Sequence, residues 1–326
     1  MQFIEPMNYL FFDIECAGVF KDKAKICAFG YCLTDEQFHI IEKQDLLINP
    51  QGNFHLTDRK GEQGIVLPYK YAEFKNYPTF LERADKIYSL LQDENTLVVG
   101  HAVQNDVKYL NLESKRFHLP SFRFSFADTQ FIYMNAIGDF SRQFGLGAIA
   151  ESLGVDFTAH KAVDDAYATM RVAQTLCQRE SVSLLGLIEK YSVRLGQIAD
   201  YEITQTTSLG FEAYKQNREQ EKEAREKARA AFHIFADREK RKRAKDGKLK
   251  NKTVCFSHAV ELQTATAKKL LTKAFALGAR VTFRAEDCDL YICLDDETGQ
   301  RKQSVIERGV KIFSPEDFDE YTESLQ

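Results

Sequence analysis

Residues 9–18 read YLFFDIECAG, and this stretch decides the fold. The run is apolar up to Phe12, which predicts a buried β-strand, and it then places Asp13 and Glu15 two residues apart. Residues i and i+2 of a strand point to the same face, so one strand would bring two carboxylates together. Like charges that close repel unless something neutralises them, and a divalent cation with oxygen ligands is the usual solution. An acidic turn after a strand is the alternative, because short acidic pairs are common.

The composition of the whole chain is that of an ordinary folded protein. Of its 326 residues, 44% are hydrophobic and 28% are charged, and the length predicts two or three domains. No apolar run approaches the roughly 18 residues of a membrane-spanning helix. The N-terminus has no basic region followed by an apolar run, so we expect no signal peptide and a cytoplasmic location. The 7 cysteines lack the spacing of a zinc site, which predicts reduced thiols.

The charge is divided unevenly along the chain. Residues 215–252 hold 15 Lys and Arg against 7 Asp and Glu, a net charge of +8. Residues 1–214 hold 20 against 28, and residues 253–326 hold 9 against 13. An acidic, a basic and a second acidic part predict two folded units joined by a basic connector. The predicted domains have the limits 1–200, 201–251 and 252–326.

The order of elements in the first part favours a mixed sheet with helices packed against it. Strand-like runs at residues 9–15, 25–33 and 38–48 lie close together, which indicates an antiparallel meander. Helical and strand patterns then alternate, with a short apolar strand at residues 96–100 and a helix at residues 163–177. This order predicts an α/β fold with a mixed sheet and flanking helices.

Two further groups of polar residues follow the first acidic pair. The sequence GHAVQND places His101 and Asp106 directly after the apolar strand, and α/β folds place their chemistry at such strand ends. The sequence HKAVDDA places His160 five residues before Asp165, at the start of an amphipathic helix. Taken separately, each has a simpler explanation. Asp165 would favour a helix N-terminus by its charge, and a histidine in a loop is usually just exposed.

Together, FDIE, GHAVQND and HKAVDDA resemble the three exonuclease motifs of the DEDD superfamily. The HxxxxD form of the third motif is that of the DEDDh branch, which includes the proofreading epsilon subunit of bacterial DNA polymerase III. The resemblance runs from about Tyr9 to Leu176, with the order and spacing of the motifs kept. It implies a ribonuclease-H-like fold and a 3′–5′ exonuclease that uses two metal ions.

The resemblance also implies a role for each motif residue. Two Mg²⁺ or Mn²⁺ ions would be held by four carboxylates: Asp13, Glu15, Asp106 and Asp165. Asp13 would bridge both ions, and His160 would be the general base. General chemistry favours the same residue types. Two ions can clamp the attacking and leaving oxygens of a phosphodiester, Mg²⁺ prefers carboxylate oxygens, and histidine titrates near neutrality.

The segment after the first motif departs from many relatives, which have Thr-Thr-Gly where this chain has Cys-Ala-Gly. In relatives this segment contacts the terminal nucleotide. The resemblance therefore implies a substrate pocket formed by Cys16, Ala17, Gly18, Val19, Phe20 and His101. Val19 or Phe20 would form an apolar wedge against the terminal base, and core packing is the alternative role for both. In the second motif Ala102 replaces the usual Asn, while the aspartate is kept.

The basic connector has a helical composition. Residues 214–245 are mainly Glu, Lys, Arg and Ala, without Pro or Gly, and predict a long helix. Its basic end is a candidate arm for the nucleic-acid backbone, made of Lys240, Arg241, Lys242, Arg243 and Lys245. A solvated helical spacer is the alternative interpretation.

The last part, residues 252–326, has the pattern of a small α/β module. Its segments GARVTF, CDLYICLD and GVKIFSPEDFDEY resemble a BRCT domain, with Phe318 where that family usually has Trp. The resemblance implies a protein, phosphopeptide or DNA-end ligand. A module without a separate ligand is the alternative.

The sequence as a whole predicts a metal-dependent 3′–5′ exonuclease with a role in DNA replication or repair. Single-stranded DNA is the favoured substrate, because BRCT modules are associated with DNA replication and repair. An RNA-trimming exoribonuclease is the alternative among enzymes. A catalytically silent scaffold that binds nucleic-acid ends is the alternative from another class, and the presence of all five motif residues argues against it.

Overall fold

The computed structural model describes residues 8–52, 71–157 and 161–325, and the chain divides into two compact units, residues 1–215 and 216–326. The strands of the first unit are β1 (Asn8–Val19), β2 (Ala24–Asp35), β3 (Ile40–Leu47), β4 (Thr96–Gly100), β5 (Phe124–Asp128), β6 (Val193–Arg194), β7 (Gly196–Ala199), β8 (Glu202–Thr204) and β9 (Thr207–Ser208). Its helices are α1 (Tyr71–Phe74), α2 (Phe80–Leu91), α3 (Gln104–Arg116), α4 (Thr129–Ile137), α5 (Leu146–Leu153), α6 (Ala162–Glu180) and α7 (Leu184–Lys190). Helix α8 (Leu209–Glu239) begins in the first unit and ends in the second.

The first unit is built on one mixed sheet with the strand order β3-β2-β1-β4-β5-β7-β8. Strand β1 pairs antiparallel with β2 and parallel with β4. Strands β2 and β3 form the predicted antiparallel meander with β1, and β7 and β8 extend the far side of the sheet. The predicted mixed sheet with flanking helices is confirmed.

Apolar side chains cover both faces of this sheet, which explains the unbroken apolar run at the start of β1. Tyr9 and Phe11 belong to a buried cluster that includes side chains of α6. Leu10 and Phe12 belong to a second cluster that includes side chains of α3. Each such side chain stabilises the fold by about 1.5–3 kcal/mol when fully buried. Because side chains alternate along a strand, Asp13 continues the series of Tyr9 and Phe11 and faces α6.

The second unit is a smaller α/β module with a parallel sheet in the order β11-β10-β12-β13. Its strands are β10 (Thr253–Phe256), β11 (Arg280–Thr282), β12 (Leu290–Ile292) and β13 (Lys311–Phe313). Its helices are α9 (His258–Leu262), α10 (Thr264–Ala276), α11 (Gln300–Glu307) and α12 (Pro315–Ser324). Phe318 is fully buried in the core of this unit, and the BRCT resemblance stays a prediction.

The long charged helix is present, but its limits differ from the prediction of residues 214–245. Helix α8 ends at Glu239, and Lys240–Lys242 form a single 3₁₀ turn. Like charges four residues apart, at Arg238 and Lys242 and at Arg241 and Lys245, destabilise a longer helix and favour this early end. Phe232 and Ala236 of α8 lie in the core of the second unit. The three-part division at residues 200 and 251 stays a prediction.

Among the helices of the described residues, none combines the length and apolar composition that a membrane span requires.

Candidate active site

Four acidic side chains from three elements converge in the first unit. Asp13 and Glu15 extend from β1, and Asp165 extends from the first turn of α6. The carboxylate oxygens of these three residues lie within 4.8 Å of one another. Asp106, in the first turn of α3, is 7% exposed, and after burial its charge is the largest cause of the raised pKa of Asp13. The structure therefore brings together all four carboxylates that the motifs predicted as metal ligands.

The turn between β4 and α3 positions Asp106. Ala102 at this turn has a φ angle of 50°, in the left-handed region. The Asp128 carboxylate, at the end of β5, accepts hydrogen bonds from the amides of Ala102 (2.9 Å) and Val103 (3.2 Å). Burial raises the pKa of Asp128 to about 6, and these hydrogen bonds oppose the rise. Asp128 thus holds the turn from which Asp106 projects. Sequence reasoning missed Asp128, because only the pairing of β4 with β5 brings it to this turn.

A glycine in β2 positions Asp165. Gly30 is paired with Asp13 across the sheet, and the start of α6 packs directly on its backbone. A Cβ atom at Gly30 would lie 2.0 Å from the carbonyl carbon of Ala162 and 2.1 Å from the amide nitrogen of Val163. No side chain fits there, so only glycine lets the first turn of α6 come this close to Asp13. A glycine inside a strand often marks such a close approach, a signal that sequence reasoning did not use.

A fifth carboxylate faces the same site. Asp45 of β3 is paired with Gly30, so Asp13, Gly30 and Asp45 form one row across three strands. Residues in one row of a sheet point to the same face, and Gly30 leaves the space between the two acids free of a side chain. The charge of Asp45 contributes to the raised pKa values of Asp13 and Glu15. The sequence motifs gave no indication of Asp45.

The electrostatics of the acids fit a divalent cation. The pKa of Asp13 lies well above its usual range, because burial disfavours the charged form and because Asp106 and Asp165 repel it. Burial, followed by the charge of Asp165, raises the pKa of Glu15 to about 7. Among the described residues, no ion pair joins Asp13, Glu15 or Asp106 to a lysine or arginine. A set of oxygen donors with excess negative charge is the chemistry that Mg²⁺ and Mn²⁺ prefer.

The predicted general base, His160, lies outside the described residues, so its role stays a prediction. Its neighbour Lys161 is the N-cap residue of α6. The first turn of that helix carries Asp165, whose backbone amide donates to the Lys161 carbonyl at 3.0 Å.

The predicted pocket after the first motif divides into a buried and an exposed half. Ala17 is fully buried, and the pairing of β1 with β2 is irregular between Glu15 and Gly18. Val19 and Phe20 are 47% and 39% exposed. Their exposure excludes the alternative of core packing. Contact with a terminal nucleotide, for these residues and for Cys16 and Gly18, stays a prediction.

His101 lies at the end of β4, and both of its ring nitrogens have hydrogen-bond partners. Nδ1 is 3.0 Å from the Thr129 hydroxyl, and Nε2 is 2.9 Å from the Phe144 carbonyl oxygen. Burial lowers the pKa of His101 to about 4, which keeps the ring neutral near pH 7. These contacts tie the end of β4 to the segment before α5. The predicted role of His101 in substrate binding would have to come from its ring face.

The predicted basic arm lies in the second unit. All five cations are exposed: Lys240, Arg241, Lys242, Arg243 and Lys245.

Comparison with known proteins identifies the class to which this fold and site belong. Residues 10–173 match the model of the exonuclease family named for RNase T. The match covers half of the chain and contains the four acidic residues described above. The chain belongs to this exonuclease family, and its mixed α/β architecture is the ribonuclease-H-like fold that the motifs implied.

The chain is also similar to parts of three solved structures. One is a full-length 3′-exonuclease, 14% identical with a TM-score of 0.48, covering 63% of this chain and 68% of that chain. A 3′-exonuclease in a study of histone mRNA stem-loop recognition is 14% identical, with a TM-score of 0.46 and coverages of 62% and 70%. E. coli exonuclease I in complex with a dT13 oligonucleotide is 20% identical, with a TM-score of 0.41 and coverages of 53% and 42%. No curated protein matches the sequence.

Proposed function

We propose that this chain is a divalent-metal-dependent 3′–5′ exonuclease of the DEDDh type, with single-stranded DNA as its favoured substrate. The observation that carries the proposal is the convergence of Asp13, Glu15, Asp165 and Asp106 from β1, α6 and α3. Membership of the exonuclease family supplies the reaction class, the hydrolysis of phosphodiester bonds in nucleic acid.

The side chains of the site have separate tasks. Asp13, Glu15 and Asp165 would hold one cation, and Asp13 with Asp106 would hold a second. When bound, the cations supply Lewis-acid charge at the reacting phosphate and a more acidic water. His160 would accept the proton of the attacking water, the role that histidine most often takes in general acid–base catalysis. Val19 and Phe20 would contact the terminal nucleotide from the exposed end of β1.

The remaining parts of the chain complete the proposal. Residues 1–200 would form the nuclease domain, residues 201–251 the connector, and residues 252–326 a BRCT-like domain that binds a partner. The second unit is a small α/β module with a four-stranded parallel sheet, as its sequence pattern predicted, and this architecture supports the resemblance. A role in DNA replication or repair follows from that resemblance alone.

Matched labelled substrates test the proposal. Single-stranded DNA, single-stranded RNA and duplex DNA of one sequence are incubated with Mg²⁺, Mn²⁺ or EDTA, each with the label at the 5′ end. Stepwise shortening from the 3′ end that requires metal supports the proposal, and faster shortening of RNA than of DNA establishes the exoribonuclease instead. Binding without cleavage under every metal condition establishes the silent scaffold. The Asp165→Asn variant, purified in parallel, shows whether any cleavage comes from a contaminating nuclease.

A further inference from the structure

The basic segment after α8 is fastened to the second unit. We name residues 240–250 the basic loop. The amide of Ala244 donates to the carbonyl of Phe275 at 2.9 Å, and the amide of Leu249 donates to the carbonyl of Leu277 at 2.8 Å. The Leu249 side chain is 2% exposed and belongs to the hydrophobic core of the unit. A solvated helical spacer would make none of these contacts.

Close backbone contact fixes the shape of the basic loop. A Cβ atom at Gly247 would lie 2.0 Å from the carbonyl oxygen of Leu277, so the two backbones touch where no side chain fits. Gly278, on the other side of this contact, has a φ angle of 83° that favours glycine. The loop therefore presents its cations on a fixed backbone. A preorganised surface loses less conformational entropy when a ligand binds than a flexible arm does.

Three cations surround a small cavity at this place. Lys240 and Arg243 of the basic loop and Arg280 of β11 line a cavity of about 170 Å³. Its other lining residues are mainly apolar: Ala236, Asp237, Phe275, Val281 and Phe283. The three cations are exposed, and no ion pair joins any of them to an acidic side chain within residues 8–52, 71–157 and 161–325. Lys242, in contrast, is paired with Glu239 at 2.7 Å.

We propose that Lys240, Arg243 and Arg280 form a binding site for single-stranded nucleic acid on the second unit. Unpaired cations next to apolar and aromatic surface match a strand in which phosphates alternate with sugars and bases. The carboxylates of an acidic peptide would bind the cations, but such a peptide has no base that could pack on the apolar lining. The choice of nucleic acid as the polyanion rests on the proposed function, whereas the geometry of the site does not depend on the acidic residues of the first unit.

Charge reversal in a hydrolysis-deficient background tests the site. The Asp13→Asn protein keeps the substrate intact, and its binding to a labelled 20-nucleotide poly(dT) is measured in EDTA by fluorescence anisotropy over a series of salt concentrations. Adding Lys240→Glu, Arg243→Glu and Arg280→Glu should weaken binding roughly tenfold at low salt, since exposed ionic contacts are individually modest. The slope of log affinity against log salt should fall by about 2, because each phosphate contact contributes about 0.7.

A matched triple variant controls for net charge. Lys222→Glu, Arg225→Glu and Lys227→Glu on α8 change the charge equally, but these cations are already paired with glutamates one turn away, at 4.0, 3.7 and 3.3 Å. This control should keep an affinity much closer to that of the background protein. Equal losses in the two triple variants would show a nonspecific effect of net charge and overturn the proposal, as would equal affinities in all three proteins.

Two further measurements keep the result interpretable. Thermal unfolding of each variant establishes that it is folded, and Arg280→Gln alone, with a smaller expected loss of about threefold, replaces the triple variant if that protein unfolds. Competition by poly-glutamate as effective as competition by unlabelled poly(dT) would assign the surface to an acidic peptide instead. Because binding is measured without metal or hydrolysis, a wild-type protein that fails to cleave nucleic acid would refute the proposed function and leave this site standing.

Discussion

The acidic site of the first unit and the basic surface of the second unit differ in the burial of their charges. The acids are mostly buried, and the cations are exposed. Asp106 and Asp165 are 7% and 9% exposed, and burial together with mutual repulsion raises the pKa of Asp13. Lys240, Arg243 and Arg280 are exposed to water and line a small cavity. A buried charge is stable only when an oppositely charged partner lies close to it in a fixed geometry. An exposed charge is solvated by water, and salt screens its interaction with a ligand. We therefore expect large effects of single changes in the first region and small, salt-dependent effects in the second.

The largest effect should come from removing one charge of the acidic site. Asp13→Asn or Asp165→Asn should abolish hydrolysis and also the rise in melting temperature that Mn²⁺ or Mg²⁺ produces, because metal that binds the native state stabilises it by mass action. In EDTA, Asp13→Asn should melt above the wild type, since one of the repelling buried carboxylates becomes neutral.

The control for this prediction is the neighbouring acid of α6. Asp164 is 40% exposed and pairs with Lys43 at 3.6 Å, so Asp164→Asn should keep both activity and the metal-induced shift. Full activity in either Asp13→Asn or Asp165→Asn would rule out the metal assignment.

The second effect concerns the predicted base. His160→Ala should lower the turnover rate by roughly 10²- to 10⁴-fold, the usual contribution of general acid–base catalysis, while the affinity for substrate changes much less. In the wild type, the rate should rise with pH as the histidine loses its proton, so the acidic limb of the pH–rate profile should disappear in the variant. An unchanged acidic limb would assign the base to another group.

The third effect concerns Gly30, which has no side chain and supports the acidic site only through its close contact with α6. Gly30→Ala should push the start of α6 away from β1 and weaken metal binding roughly 10- to 100-fold, the range seen when residues supporting metal ligands are changed. Isothermal titration with Mn²⁺ measures this directly, and excess metal should restore hydrolysis in this variant but not in Asp13→Asn.

Gly196→Ala in β7 is the matched control, because its Cβ would lie 2.2 Å from a ring atom of Phe126. Both changes overpack the first unit at a cost of roughly 1–3 kcal/mol. A metal affinity reduced equally in both variants would show that Gly30 contributes to stability alone.

The smallest effect in the first unit should come from Asp45. Asp13 and Asp45 lie two strand spacings apart, about 10 Å. At that distance the charge of Asp45 would attract a divalent cation bound at Asp13 by about 1–3 kcal/mol. Asp45→Asn should therefore weaken metal binding roughly tenfold and leave the fold intact. Glu42→Gln removes one charge from the other face of β3, where it contacts Tyr31 and Lys86, and should not change the metal affinity. Equal affinities in Asp45→Asn and wild type would exclude Asp45 from the site.

Much of the candidate site could be predicted because its residues are adjacent to strong local patterns. Asp13 and Glu15 follow the apolar run of β1, Asp106 follows the apolar strand β4, and Asp165 lies in the first turn of an amphipathic helix. Gly30, Asp45 and Asp128 could not be found in this way. Each lies far along the chain from the acid that it serves, and each acts through strand pairing or a turn that only the folded sheet creates.

By itself, the sequence determined the chemistry and the order of elements. Period-two and helical spacing established the mixed sheet and the helices, because apolar faces must be buried in any fold of this chain. The three motifs placed two carboxylates directly after an apolar run and two in the first turns of helices. Charge counting separated the basic segment from its acidic neighbours.

Tertiary structure decided which charges are buried and which surfaces are held in place. Pairing of β1 with β2 sets Asp13 beside Gly30, and that gap admits α6, so the acids are crowded and burial and their mutual repulsion raise the pKa of Asp13. Backbone contacts with Phe275 and Leu277 make the basic segment part of the second unit. Its charged composition alone would have indicated a solvated spacer. The physical reason is the same in both places: a residue's own type sets its charge, but the desolvation and geometry of that charge depend on backbone distant in sequence.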